Sequence, residues 1–248
     1  MMKLSHESKL RLGVGIGAFV LIIGLVFGIS RTLIHFEGPW DFGTATLDWP
    51  GRDSGNYSAQ PQKLSSETFD ADSFQSLDLD VTSSTVEIKH VSGGPVRVIE
   101  SGRVAKGAPA SDAATRNLAE VKGSTLKISQ YDCDDERAID RTVTIELPRE
   151  VAENMVGITA SVESGDLTFT GIACRDLDVT LGSGDVEFTG AVTDTLSAEV
   201  GLGDVTFDLN QAPAKSMDVT VGSGDAEITV PNSTGFKASL TLGCGDFE

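Results

Sequence analysis

Five copies of one short phrase constrain this chain more than anything else in it. Ser-Gly-Asp at Ser164, Gly165 and Asp166 returns as Gly-Ser-Gly-Asp ending at Gly184 and Asp185. It returns again as Gly-Leu-Gly-Asp ending at Gly203 and Asp204, as Gly-Ser-Gly-Asp ending at Gly224 and Asp225, and as Gly-Cys-Gly-Asp ending at Gly245 and Asp246. From aspartate to aspartate the steps are 19, 19, 21 and 21 residues. A fixed period near twenty is the mark of stacked repeats, each one supersecondary unit that buries its apolar face only against its neighbours.

Apolar and polar residues alternate on both sides of each phrase. Leu177, Val179 and Leu181 precede the second copy, and Val186 and Phe188 follow it; Asp178, Thr180, Glu187 and Thr189 lie between them. Period-two alternation puts one set on each face of a strand. Each repeat therefore reads as strand, tight glycine corner, strand and looser return, with the ten Gly and Asp residues named above as structural turn positions. Glycine suits such a corner because it adopts a positive φ without a steric penalty.

A meander of antiparallel hairpins and a solenoid of parallel coils both fit this pattern. The solenoid is favoured because Phe169, Phe188 and Phe207 hold one slot in successive repeats, followed by Ile228. A column of like residues packs well when coils stack in register, and a meander does not require that sameness. The expected fold is all-β: a single-stranded β-solenoid or β-roll of about 20-residue coils, with buried phenylalanines over phenylalanines and outward acids over acids.

The rest of the chain divides by composition. Residues 12–30, LGVGIGAFVLIIGLVFGIS, carry no charge and nearly span a ~30 Å hydrocarbon core. Lys3, Lys9 and Arg11 precede the run, whereas Arg31 alone follows it before Glu37, Asp41 and Asp48. The positive-inside rule then makes residues 1–11 a cytoplasmic tail and places the bulk of the chain outside the cell membrane as a single-pass protein. The run is long for a cleaved signal peptide, and no Ala-x-Ala-like site follows it. Residues 31–68, with Gly, Pro, Ser, Asn and Gln throughout, read as a juxtamembrane linker. Trp40 and Trp49 are placed in that linker, either at the membrane interface or packed locally.

The β-solenoid domain is expected over residues 69–248. Its first part is less regular. Leu77, Leu79 and Val81, a Ser83-Ser84-Thr85 corner, then Val86 and Ile88 have the shape of a repeat. Val96 and Val98 start another strand, a short helix is expected near residues 113–121, and Leu126/Ile128 and Val143/Ile145/Leu147 mark two more strands. Pro148 closes that part because proline cannot donate to a ladder.

A strand pair, a variable excursion, a strand ending in Ile-Glu-Leu-Pro at 145–148 and then repeated Ser-Gly-Asp coils resembles the putative-adhesin domain family of bacterial envelope proteins, also called toast-rack-like. The likeness covers about residues 69–248. It implies a β-solenoid on a single-pass or secreted surface protein, in some relatives attached to envelope-stress regulators. The family brings no established catalytic residues. The chain reaches Phe247 and Glu248 two residues into a strand, so an open coil edge is expected there, sticky or docking unless the sequence is cut short.

Charge and residue chemistry narrow the function. The net charge is −18. Residues 1–30 hold three cations and one acid, which leaves −20 for the remainder. Such a surface argues against nucleic acid and permits cations or basic partners. Stacking would bring the five corner aspartates into one column, relieved by solvent, by turn amides or by a cation. Calcium takes six to eight oxygens, more than one aspartate per corner provides, so no cofactor is expected and a weak Ca²⁺ site is the alternative. Cys133, Cys174 and Cys244 are an odd number with no zinc-like spacing. Of His6, His35 and His90 only His90 lies in the domain, and no nucleophile–base set shares one place. The reading is a non-catalytic, membrane-anchored interaction or adhesion domain whose partner is a cell-surface protein or glycan. The alternative is an accessory or sensor in envelope-stress signalling, acting through a membrane regulator.

Overall fold

The computed structural model describes residues 56–130, 137–231 and 236–247. The expected cytoplasmic tail and anchor, Trp40, Trp49, His6, His35 and Cys133 lie outside the described residues. Among the described residues no helix is long and apolar enough to cross a membrane. The described residues form fourteen strands that join in one sheet system around a narrow core.

The repeats are parallel coils, not hairpins. Strand β9 (Leu167–Ser183) lies beside β10 (Val186–Leu202), and β10 beside β11 (Val205–Leu209). Val186 sits opposite Leu167, and Val205 opposite Val186, so each coil is displaced from the last by the 19-residue step of the phrase. Strands β12 (Ser216–Ser223), β13 (Ala226–Thr229) and β14 (Ala238–Cys244) continue the stack in parallel, now with the 21-residue step that sets Met217 beside Leu196 and Ala238 beside Met217. The long strands β9 and β10 turn from one side of the core to the other, so each contributes to two coils.

The Ser83-Ser84-Thr85 corner belongs to the same stack. It joins β2 (Ser76–Ser83) to β3 (Thr85–Val91). Strand β2 runs parallel to β8 (Met155–Ser164), and β3 parallel to β9, with Ile88 opposite Phe169.

Beneath this coil the pattern changes. Strand β7 (Ala138–Pro148) is parallel to β3, but β4 (Val96–Val104) is antiparallel to β7, and β1 (Gln62–Phe69) antiparallel to β4. On the other side β6 (Thr125–Gln130) is parallel to β2, and β5 (Ala119–Lys122) antiparallel to β6. A four-residue helix α1 (Arg149–Ala152) leads from β7 into the coils.

One line of side chains threads the main core from the base through the coils. Val98, Ile145, Ile88, Phe169, Phe188 and Phe207 are each fully buried. The phenylalanine rings stack at centroid distances of 5.5 and 6.1 Å with tilts of 49° and 51°, the offset geometry aromatic pairs prefer. Burial of each such side chain contributes roughly 1.5–3 kcal/mol, and the thin core explains how few aromatics suffice.

Two expectations are corrected. The linker is shorter than residues 31–68 suggested, because residues 62–69 form β1. Leu64 is its one buried side chain, so alternation there is hard to see. The helix near residues 113–121 is absent. A 3₁₀ turn, Ala110–Ala113, is followed by Asn117 at φ 51° and then by β5. Lys122 pairs with Thr125 across a two-residue loop whose first residue, Gly123, has φ 63°. A local hairpin thus takes the segment that residue propensity assigned to a helix.

Candidate functional site

The glycine corners form a continuous edge. Gly165, Gly184, Gly203, Gly224 and Gly245 have φ between 128° and 140°. A Cβ on Gly184 would lie 2.3 Å from the Gly165 carbonyl oxygen, and one on Gly203 only 1.9 Å from that of Gly184. Both the sign of φ and the closeness of the coil below exclude any side chain.

The aspartate after each of the first four corner glycines binds the next coil. The backbone N–H of Asp185 donates to Asp166 Oδ1 at 3.2 Å, that of Asp204 to Asp185 Oδ1 at 2.8 Å, that of Asp225 to Asp204 Oδ1 at 2.8 Å and that of Asp246 to Asp225 Oδ1 at 2.7 Å. Carboxylates one strand spacing apart repel by roughly 0.9 kcal/mol in water. A hydrogen bond to a charged acceptor contributes about 1.5–3 kcal/mol in sheltered sites, and less on an exposed edge. The ladder therefore offsets its own repulsion. No group of three or more His, Cys, Asp or Glu side chains among the described residues could hold a metal ion.

The sheet faces obey a different rule. On one outer face Asp78, Thr159, Asp178, Ser197, Asp218 and Ser239 stand in one row across six strands. On the other, Glu87, Thr168, Glu187, Thr206 and Glu227 do the same. Acid alternates with hydroxyl in both rows. The expectation of acids over acids holds at the corner and fails here. Two strand spacings, about 9.6 Å, separate the acids and roughly halve their repulsion. The result is a pair of rigid, outward-facing arrays of carboxylate and hydroxyl groups.

One group of polar residues escaped the sequence reading. Glu100 is fully buried and its side chain accepts four hydrogen bonds: from Arg141 Nη1 at 2.8 Å, Thr115 N at 2.7 Å, Thr115 Oγ1 at 2.6 Å and Gln130 Nε2 at 3.0 Å. Ser84 Oγ in turn donates to Gln130 Oε1 at 2.6 Å. The network ties β4, β6 and β7 to the first corner, where Ser84 and Thr85 stand in place of the Gly-Asp pair. The signal was available: Glu100 occupies an inward slot in the alternation Val96, Val98, Glu100, Gly102, Val104.

The remaining candidates are separate. Cys174 is buried, and desolvation, with Asp176 nearby, pushes its thiol up to about 12. Cys244 is exposed at its corner, and neither forms a disulfide. His90 is exposed, with Nδ1 3.4 Å from the Thr170 carbonyl oxygen.

Parallel coils in register, a laddered glycine edge and an antiparallel base define a capped β-solenoid. Residues 74–248 match the family described as Toastrack DUF4097, and the chain belongs to it. Among solved structures, a putative cell adhesion protein from Clostridium sporogenes is 16% identical, with 76% of this chain and 98% of that one covered and a TM-score of 0.50. A putative adhesin from Bacteroides fragilis is 15% identical, covers 77% of this chain and 98% of its own, and has a TM-score of 0.31. A putative lipid binding protein from Parabacteroides distasonis is 9% identical over 77% of this chain and 98% of its own, with a TM-score of 0.27. The first likeness shows a shared fold; the other two overlap too loosely to carry an argument. No curated protein matches the chain in sequence.

Proposed function

We propose that this chain is a non-catalytic interaction module of a bacterial cell envelope. Residues 12–30 anchor it as a single pass with the N-terminus in the cytoplasm, and the solenoid stands outside, where it contacts a cell-surface protein or glycan. The observation that carries the reading is the pair of acid–hydroxyl arrays. Strands stacked in register hold these side chains on a rigid frame with their polar ends in solvent, an arrangement suited to repeated hydrogen bonding. The adhesion role in the name of the similarly folded Clostridium protein supports the same reading. The acids of both arrays are spaced along the faces in alternation with hydroxyls, an arrangement that supports a binding role.

The test is co-purification. Full-length protein in detergent is passed over immobilised envelope polysaccharide and, separately, isolated with its cross-linked membrane partners. Retention on envelope material supports the interaction module. A stoichiometric membrane kinase or regulator, with no retention, would replace it by a signalling accessory.

A further inference from the structure

Glycines in this fold fall into two kinds. The corner glycines are demanded by φ and by the coil below. Gly157 is not. It lies inside β8, its φ is outside the left-handed region, and a Cβ built on it would sit 3.9 Å from the Asp176 carbonyl oxygen and 3.9 Å from Ser76 Oγ, ordinary contact distances. Neither the backbone nor the packing explains the missing side chain. A glycine inside a strand weakens it, and often marks a place where something approaches the backbone closely.

What the missing side chain leaves is a groove. In the outward row that crosses β2, β8, β9, β10 and β12, the residues are Ser76, Gly157, Asp176, Thr195 and Ser216. Every member but Gly157 carries a hydroxyl or a carboxylate. A depression of about 340 Å³ opens over Gly157, walled by Asp176, Asp178, Thr159, Thr195 and Ser197. That volume is within the range of small-ligand sites.

The walls say what chemistry would fit. Carboxylates accept hydrogen bonds, and hydroxyls both donate and accept. A ligand that matches them presents closely spaced groups able to do both, which is the chemistry of a sugar. A lysine- or arginine-rich peptide fits less well. Arg175 Nε already holds Asp176 Oδ2 at 2.8 Å, and Lys215 Nζ holds Asp194 at 2.8 Å on the next strand. Cations of the chain itself therefore occupy that end of the face.

We infer that the groove over Gly157 seats one residue of a neutral glycan chain, whose hydroxyls donate to Asp176 and Asp178 and accept from Thr159, Thr195 and Ser197. The inference rests on the interaction reading above and assigns it a position and a ligand class.

The experiment uses full-length protein in detergent, as wild type, as Gly157→Thr and as Asp178→Ala. Each is titrated with neutral cello-, chito- and manno-oligosaccharides and with oligolysine, and each is melted. Gly157→Thr fills the groove with a residue that favours strands, so its Tm is expected to equal or exceed that of wild type. Oligosaccharide binding is expected to weaken about tenfold or more in Gly157→Thr and to fall in Asp178→Ala. Equal sugar binding by wild type and Gly157→Thr would overturn the groove while leaving the interaction module in place. So would wild-type binding to oligolysine or to envelope material without binding to any sugar. Failure to bind any probe or any envelope material would overturn both.

Discussion

The carboxylate of Asp185 accepts the backbone N–H of Asp204 at 2.8 Å, from one full coil away. Asp166, Asp185, Asp204 and Asp225 each fasten the next coil in this way. Asp185→Ala removes that acceptor and relieves some repulsion from Asp166 and Asp204. A net loss of about 1 kcal/mol is expected on this exposed edge. Asp185→Asn keeps an acceptor oxygen and is expected to lose less than half as much. Chemical denaturation measures both, and equal losses would mean that charge, not the ladder bond, is what matters.

Glu100 makes the sharper case, because it is buried with its counterion. Glu100→Ala leaves the Arg141 guanidinium in the cap without its carboxylate, and also removes the acceptor of Thr115 and Gln130. Breaking one side of a buried pair costs about 3–5 kcal/mol. A loss of that size, read from denaturant midpoints at constant m, is expected. A loss below about 1 kcal/mol would show that the cap does not depend on this network.

The repeat, the corners and the buried column could be read from the sequence, because period and alternation are local and the same slots recur. The parallel register followed from Phe169, Phe188 and Phe207 alone. The cap could not be read so well. Its strands pair across long separations, as with Ser66 on β1 opposite Ile99 on β4, and their patterns are interrupted by Glu100 and Gly102. The alternation of acid and hydroxyl across the faces was in the sequence too. It becomes visible only when the 19- and 21-residue steps set Thr159 beside Asp178 and Asp178 beside Ser197. Gly157 carried no signal at all until the space above it was known.

Two carboxylates give stability a pH dependence. Burial raises Glu67 above its ordinary 4.5, against a lowering hydrogen bond from the Ala119 backbone. Burial and then the neighbouring Asp78 raise Asp80 above its ordinary 3.8, against the opposing charge of Lys127. The folded state thus holds these protons more tightly than the unfolded chain. Their contribution is fully present below the ordinary values and is lost as pH rises through the folded ones. Tm is therefore expected to gain from these two groups as pH is lowered through their folded values towards the ordinary 4.5 and 3.8, with a smaller gain in Asp80→Asn. A Tm that falls steadily over that interval would contradict this assignment.

Display of the stacked coils outside the cell is the claim on which the functional account stands, and two cysteines report on it directly. Cys244 is exposed at the last described corner, whereas Cys174 is buried in a strand. In a Cys133→Ser background, intact cells are treated with a membrane-impermeant maleimide and the labelled residues are mapped by mass spectrometry. The account expects Cys244 to be labelled without permeabilisation and Cys174 to be labelled only after denaturation. Labelling of Cys244 only after the cells are opened, or of Cys174 in the native protein, would contradict it.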